Sequence, residues 1–337
     1  MGNVTEDEPL SPYLVAVRTC FVAVVVIMII TGNALSIAVT RSMPGLADST
    51  KILMISLAAY DLLTGVMSIP NVIASAFDRW PFGEFYCSIN GTIDATCCCM
   101  SITLIVLMNA ERYIAVTLPF RFPILCAKRR VIAVVLIASV VSLVLQICLS
   151  YFKEDNNQFK AVLICDVVFN GTVLEISVLF FLVILPLVVL TYIYLRLIKL
   201  SQNHAVMLNK CNNAANDTSF LDNKALRAFL VVTILFAVCW TPLRVVRVVA
   251  AITDKMQPIW LSFTAKGFAV SNSFFNVFIY CFFNRSFRQA AKRLMMRYFP
   301  CFKSSTVAPM TTPILKDDTP QPAVRRKGRA AFISVEL

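Results

Sequence analysis

The chain has 337 residues, 58% of them hydrophobic and only 15% charged, with a formal net charge of +12 and a mean hydropathy of +0.74. Soluble domains carry about a quarter of charged residues, so this composition excludes a string of soluble domains and points to a polytopic membrane protein. The basic excess is then a matter of topology and of contact with anionic lipid, not of nucleic-acid binding.

In chain order, residues 1–12 are acidic and carry neither a basic leader nor a cleavage site, so the expectation is an extracellular N-terminus with the first span as an uncleaved anchor. Spans are stretches of about twenty residues with few charges. The first, Thr19–Thr40, has none. The second, Ile52–Phe77, contains only Asp61, and the third, Phe85–Ala110, only Asp94. The fourth, Val131–Phe152, is uncharged, as is the fifth, Ile176–Leu195, bounded by Glu175 and Arg196. The sixth, Ala228–Ile252, holds Arg244 and Arg247; the seventh, Met256–Phe283, holds Lys266. Hydrocarbon offers backbone groups no other partner, so these spans are helices, and residues 13–283 read as an all-α seven-transmembrane bundle. Residues 284–299 read as an amphipathic cytoplasmic eighth helix. Residues 300–337, rich in Pro, Thr, Lys and Arg, read as a flexible tail. Most Lys and Arg fall on one side when the N-terminus is outside, which sets the orientation.

Depth brings the polar residues into register. Asp94 and Arg112 lie about five helical turns apart on one face of the third span, about 27 Å from each other, with Cys87 on nearly the same face farther out. Asp61, Ser101 and Asn276 each lie about 13–17 Å from the inner surface, and Asn33, Asn272 and Ser273 fit the same layer. Ionisable residues at this depth are costly and mark functional sites by default. A carboxylate ringed by Ser and Asn oxygens suits a hydrated sodium ion or a proton; the alternative is a structural hydrogen-bond network.

The motifs, taken in order, resemble those of the rhodopsin-like (class A) G-protein-coupled receptors. They are Gly32-Asn33, "SLAAYD" ending at Asp61, Cys87 opening the third span and Glu111-Arg112-Tyr113 closing it. Pro186 and Tyr194 follow in the fifth, "FAVCWTP" in the sixth and "NSFFNVFIY" in the seventh. Two features depart from the pattern. Val277 stands where the seventh-span motif usually has proline, and the fourth span lacks its usual tryptophan.

The resemblance implies a multi-pass plasma-membrane receptor that activates a heterotrimeric G protein, with arrestin, a receptor kinase and membrane lipids as further partners. It has Arg112 pairing with Glu111 and reaching Asp222. It makes Ile102, Pro186 and Phe236 a packing switch under Trp240, with Pro242 in the same motif, and it has Tyr194 and Tyr280 restacking on activation. It joins Cys87 to Cys165 in a disulfide. Asn3 and Asn170 become glycosylation sites and Cys301 a palmitoylation site. Neither a catalytic constellation nor a metal or cofactor site is expected beyond sodium; the adjacent Cys97, Cys98 and Cys99 splay around a helix as packing residues.

The resemblance, with helical spacing for Arg244, Arg247 and Lys266, lines the ligand pocket with Asp94, Cys98, Val178, Trp240, Leu243, Arg244, Arg247, Lys266 and Val270. Asp94 suits an ammonium group, yet no aromatic cage surrounds it. It is also at a depth where Lys266 can reach it. Two readings therefore stand: an ammonium anchor, or an Asp94–Lys266 pair that leaves two arginines for an anion. A biogenic amine, a peptide and an acidic or lipid ligand all remain open. A retinal photoreceptor would place its lysine at Val270 rather than at Lys266, and an ion-coupled transporter would show repeats that the chain lacks.

Overall fold

A computed structural model of the chain describes residues 11–150, 171–211, 224–255, 257–283 and 285–298. Among these, every regular element is a helix: α1 (Pro12–Arg41), α2 (Asp48–Met67), α3 (Ile69–Phe77), α4 (Gly83–Thr117), the single turn α5 (Phe122–Leu125), α6 (Lys128–Ser150), α7 (Thr172–Leu179), α8 (Leu185–Cys211), α9 (Lys224–Thr253), α10 (Ile259–Phe283) and α11 (Arg285–Tyr298). The second span is α2 followed by α3. The fifth is α7 and α8, joined by a π-helical turn at Phe180–Ile184. Six of the spans are long and apolar enough to cross a membrane by length and composition. The seventh, α10, has 25 residues, about 37 Å of helix; its lysine and its Ser and Asn residues lower its hydropathy.

Local chemistry explains the ends and breaks. Ser11 caps α1 by accepting from the Leu14 N–H at 3.4 Å, with Pro12 at the first helical position. Pro70 has no N–H to continue α2, so the helix restarts at Ile69. Asp78 closes α3 at φ 49°, and its carboxylate accepts from Arg18 Nη2 at 2.7 Å, tying α3 to α1 at the outer surface. In the fifth span Pro186 cannot donate to the carbonyl one turn back, and the π turn sits immediately before it.

Packing follows the sequence order: α1 lies on α2, α2 on α4, α4 on α6 and α8, and α9 on α10. Large aliphatic side chains such as Ile137 and Val140 face outward, toward lipid. The polar residues Asn33, Asp61, Ser101 and Asn276 turn inward and are buried, as intramembrane polar groups must. The amphipathic α11 seats Phe287 and Ala290 against Val39, Met43 and Met54, which anchors it under α1 and α2.

Close contact between α1 and α2 depends on Gly65. A Cβ there would stand 2.8 Å from Ile29 Cγ2 and 2.9 Å from Ile30 Cγ1. Gly65→Ala is expected to cost about 1–3 kcal/mol through overpacking, seen as a lower thermal midpoint of the protein in lipid nanodiscs. An unchanged midpoint would show that the two helices can part without cost.

Candidate functional site

Toward the outer half of the bundle, α4, α6, α7, α9 and α10 enclose a cavity of about 210 Å³. Asp94 and Cys98 come from one face of α4, and Gln146 with Leu145 and Leu149 from α6. Ser177 and Val178 come from α7, Phe181 and Leu182 from the π turn, Trp240 and Arg244 from one face of α9, and Lys266 from α10. The wide π turn presents Phe181 and Leu182 to the same space as Val178.

Charges around this cavity are paired. Lys266 Nζ donates to Asp94 Oδ2 at 2.8 Å, both residues being buried. Arg244 Nη1 lies 3.9 Å from Glu175 Oε2, and its guanidinium sits 6.0 Å above the Trp240 ring. Glu175 was expected to bound the fifth span at the membrane surface. Instead α7 begins at Thr172, capped by Gly171, so Glu175 lies a turn inside and is 1% exposed. This corrects the expectation of two arginines left over for an anion, because Arg244 already has its carboxylate.

Of the nine residues expected at the pocket, Asp94, Cys98, Val178, Trp240, Arg244 and Lys266 line the cavity. Leu243, Arg247 and Val270 are not among its lining residues. Leu243 turns into the core with Ile102, Val183 and Phe236. Arg247 lies one turn outward of Arg244, and Val270 one turn inward of Lys266. Gln146 escaped the sequence reading, although a lone amide in an uncharged span is a visible signal.

Below the cavity, Trp240 packs in one cluster with Ile102, Val183, Phe236 and Leu243, and Pro186 is buried nearby in α8. Pro242 lies inside α9. Deeper still, Asp61 is fully buried. Ser101 Oγ donates to its Oδ1 at 2.8 Å and Asn276 Nδ2 to its Oδ2 at 2.9 Å. Asn33 Nδ2 donates to the Ser273 carbonyl at 3.0 Å, joining α1 to α10, and Asn272 is buried in the same layer.

At the inner end, Arg112 Nε lies 3.5 Å from Glu111 Oε2. Glu111 Oε1 also accepts from Ser49 Oγ and Thr50 Oγ1, each at 2.8 Å, and Arg112 Nη2 donates to Thr50 Oγ1 at 3.3 Å. The two hydroxyls at the start of α2 were not expected here. Tyr113 and Tyr194 pack around Ile193 and Leu197. Tyr280 donates its hydroxyl to Met108 Sδ at 3.7 Å and packs its ring 5.8 Å from Phe287. Cys87 is disulfide-bonded. Its expected partner Cys165 lies outside the described residues, as do Asp222, Asn3, Asn170 and Cys301. Asn90 opens a glycosylation sequon but is 1% exposed within α4, which closes that site to an oligosaccharide.

The model of the 7 transmembrane receptor (rhodopsin family) matches residues 32–280. The chain belongs to that family. It is a multi-pass plasma-membrane receptor that couples an extracellular ligand to a heterotrimeric G protein. The receptor is 28% identical to the histamine H2 receptor of Rattus norvegicus, covering 80% of this chain and 76% of the relative. It is 26% identical to the allatostatin-A receptor of Bombyx mori, covering 87% and 84%. It is 27% identical to the melatonin receptor type 1A-A of Danio rerio, covering 85% and 82%. Three relatives with three different ligands stand at nearly equal identity, so likeness alone does not select one.

Hydrogen bonds to a charged group contribute about 1.5–3 kcal/mol each. The double change Ser49→Ala with Thr50→Val, which strips Glu111 of both hydroxyl partners, is therefore expected to lower the receptor's thermal midpoint by several degrees. An unaltered midpoint would mean that Arg112 alone satisfies Glu111.

Proposed function

We propose that the cavity bounded by Asp94, Trp240, Arg244 and Lys266 is where this receptor takes its extracellular ligand, and that occupancy is relayed through Trp240 to Arg112. One observation carries this reading: Trp240 lines the cavity and belongs to the same buried cluster as Ile102 and Phe236. A ligand that displaces the indole must therefore repack α4 against α9. Pro242 lies two residues further along α9, where the missing N–H weakens the helix and makes a hinge. Swinging the inner end of α9 outward would open a cleft beside Arg112 for the G protein.

In this reading the inner face is held closed by Glu111, Arg112 and Asp222, with Tyr194 and Tyr280 moving inward as it opens. Asp61, Ser101, Asn272, Ser273 and Asn276 form a site for a hydrated sodium ion that favours the closed bundle. Cys165 completes the outer disulfide with Cys87. Asn3 and Asn170 carry glycans, and Cys301 a palmitoyl chain that seats α11 on the membrane. The opened inner face would also serve arrestin and a receptor kinase, and the basic inner loops would hold anionic lipid. The receptor acts by changing shape and not as an enzyme.

The test needs no known agonist. In nanodiscs with a purified heterotrimer, Asp222→Asn is expected to raise basal nucleotide exchange several-fold by freeing Arg112. Adding Arg112→Ala is expected to abolish both the increase and the basal rate. Sodium is expected to lower basal exchange in the parent receptor and to leave Asp61→Asn unaffected. Exchange that ignores Arg112→Ala would remove the relay. Equal sodium sensitivity of parent and Asp61→Asn would reduce the Asp61 layer to a structural network.

A further inference from the structure

Among the described residues the ionisable groups at the cavity come as opposite pairs, and we infer that the ligand is a small molecule of no net charge, with a hydrogen-bond donor at one end, an acceptor at the other and an apolar body between. This rests on the cavity being the ligand site.

The charges argue first. An ammonium group approaching Asp94 meets Lys266 already bound to it at 2.8 Å. A carboxylate approaching Arg244 meets Glu175 at 3.9 Å from the guanidinium. Either ion would enter an apolar space with its charge uncompensated, or would have to break a buried pair and strand the displaced partner. A neutral molecule meets neither obstacle.

The unsatisfied atoms argue second and give the ligand its polarity. Three buried polar atoms of cavity-lining residues have no hydrogen-bond partner among the described residues: Asp94 Oδ1, Trp240 Nε1 and Arg244 Nε. The first is an acceptor and calls for a donor on the ligand. The other two are donors, one helical turn apart on α9, and call for an acceptor. Buried groups of this kind are normally paired; each is covered by its neighbours in this structure, so a ligand with one donor and one acceptor satisfies both ends as its entry turns these side chains toward it. The rest of the lining is largely apolar, Leu145, Val178, Phe181 and Leu182 among it, with Gln146 and Ser177 as neutral polar groups.

Size argues third. An apolar cavity of about 150 Å³ holds benzene; at about 210 Å³ and only partly enclosed, this one takes a single ring with a short side chain that can extend toward the open side. The space lined by the described residues is too small to enclose a peptide.

Four probes on one phenyl scaffold separate the classes. N-acetylphenethylamine is neutral with an amide N–H and C=O, phenethylamine is a cation, 3-phenylpropanoate is an anion and propylbenzene has no polar group. Binding to the full-length receptor in nanodiscs is read as slowed alkylation of the cavity-lining Cys98 in a Cys99→Ala background, with mass spectrometry to locate the label. N-acetylphenethylamine is expected to bind at least tenfold more tightly than each of the other three. Trp240→Phe, which removes the indole N–H together with part of the ring, is expected to weaken it about tenfold more than it weakens propylbenzene, the control for the lost ring surface. Tighter binding by phenethylamine or by 3-phenylpropanoate overturns the neutral class while leaving the cavity as the ligand site. Parity between propylbenzene and N-acetylphenethylamine, or equal sensitivity of the two to Trp240→Phe, overturns the donor and acceptor roles. Failure of every probe to slow the alkylation removes the cavity as the ligand site, and this inference with it.

Discussion

A charge placed among apolar helices must find its opposite, and the outer half of this bundle is arranged around that constraint. The Lys266–Asp94 bond at 2.8 Å joins α10 to α4 across the interior, and Arg244 faces Glu175 across α9 and α7. Losing one partner of such a pair strands a charge at a cost of about 3–5 kcal/mol, whereas replacing both by apolar residues can be neutral. The pairs therefore fix which helices are neighbours more than they add net stability. They also bear on what the cavity between them can accept, since an ion approaching Asp94 or Arg244 must compete with a partner already in place.

Further inward the same requirement is met with neutral donors. Asp61 takes hydrogen bonds from α4 and α10 through Ser101 and Asn276. At the inner end Glu111 takes them from Ser49 and Thr50. Three carboxylates at three depths thus connect α4 in turn to α10, to α2 and α10, and to α2 again. Between the first and second lies the apolar cluster of Ile102, Phe236 and Trp240, which has no directional bonds and can repack. Rigid polar ties above and below a deformable apolar layer give the bundle a place to bend. Pro242 in α9 lies within that layer. By contrast α10 runs unbroken through Val277, which packs close to Gly32 of α1 where the family motif has proline.

Much of this was legible in the sequence, because depth in a membrane is set by residue count. Helical rise alone placed Asp61, Ser101 and Asn276 in one layer and put Lys266 within reach of Asp94. Hydropathy marked the spans, and the consecutive Glu111-Arg112-Tyr113 marked the inner end of the third. What escaped was rotation and the true ends of helices. Glu175 was taken for a span boundary because a charge at the end of an apolar run usually is one; only the start of α7 at Thr172 shows it to be inside. Leu243 was placed at the pocket by its position after the Trp240-Thr241-Pro242 motif, and Arg247 by its spacing from Trp240. Yet Leu243 points into the core, and Arg247 is not among the residues lining the cavity. Ser49 and Thr50 lie outside the second span as hydropathy bounds it, so nothing in their spacing suggested that they would cap Glu111.

The central claim is that Asp94 and Lys266 act as a single neutral unit, and a double-mutant cycle on the thermal midpoint in nanodiscs tests it most directly. The account predicts that Asp94→Asn and Lys266→Met each lower the midpoint substantially, and that the double variant loses much less than the sum of the two. Strictly additive losses would contradict it.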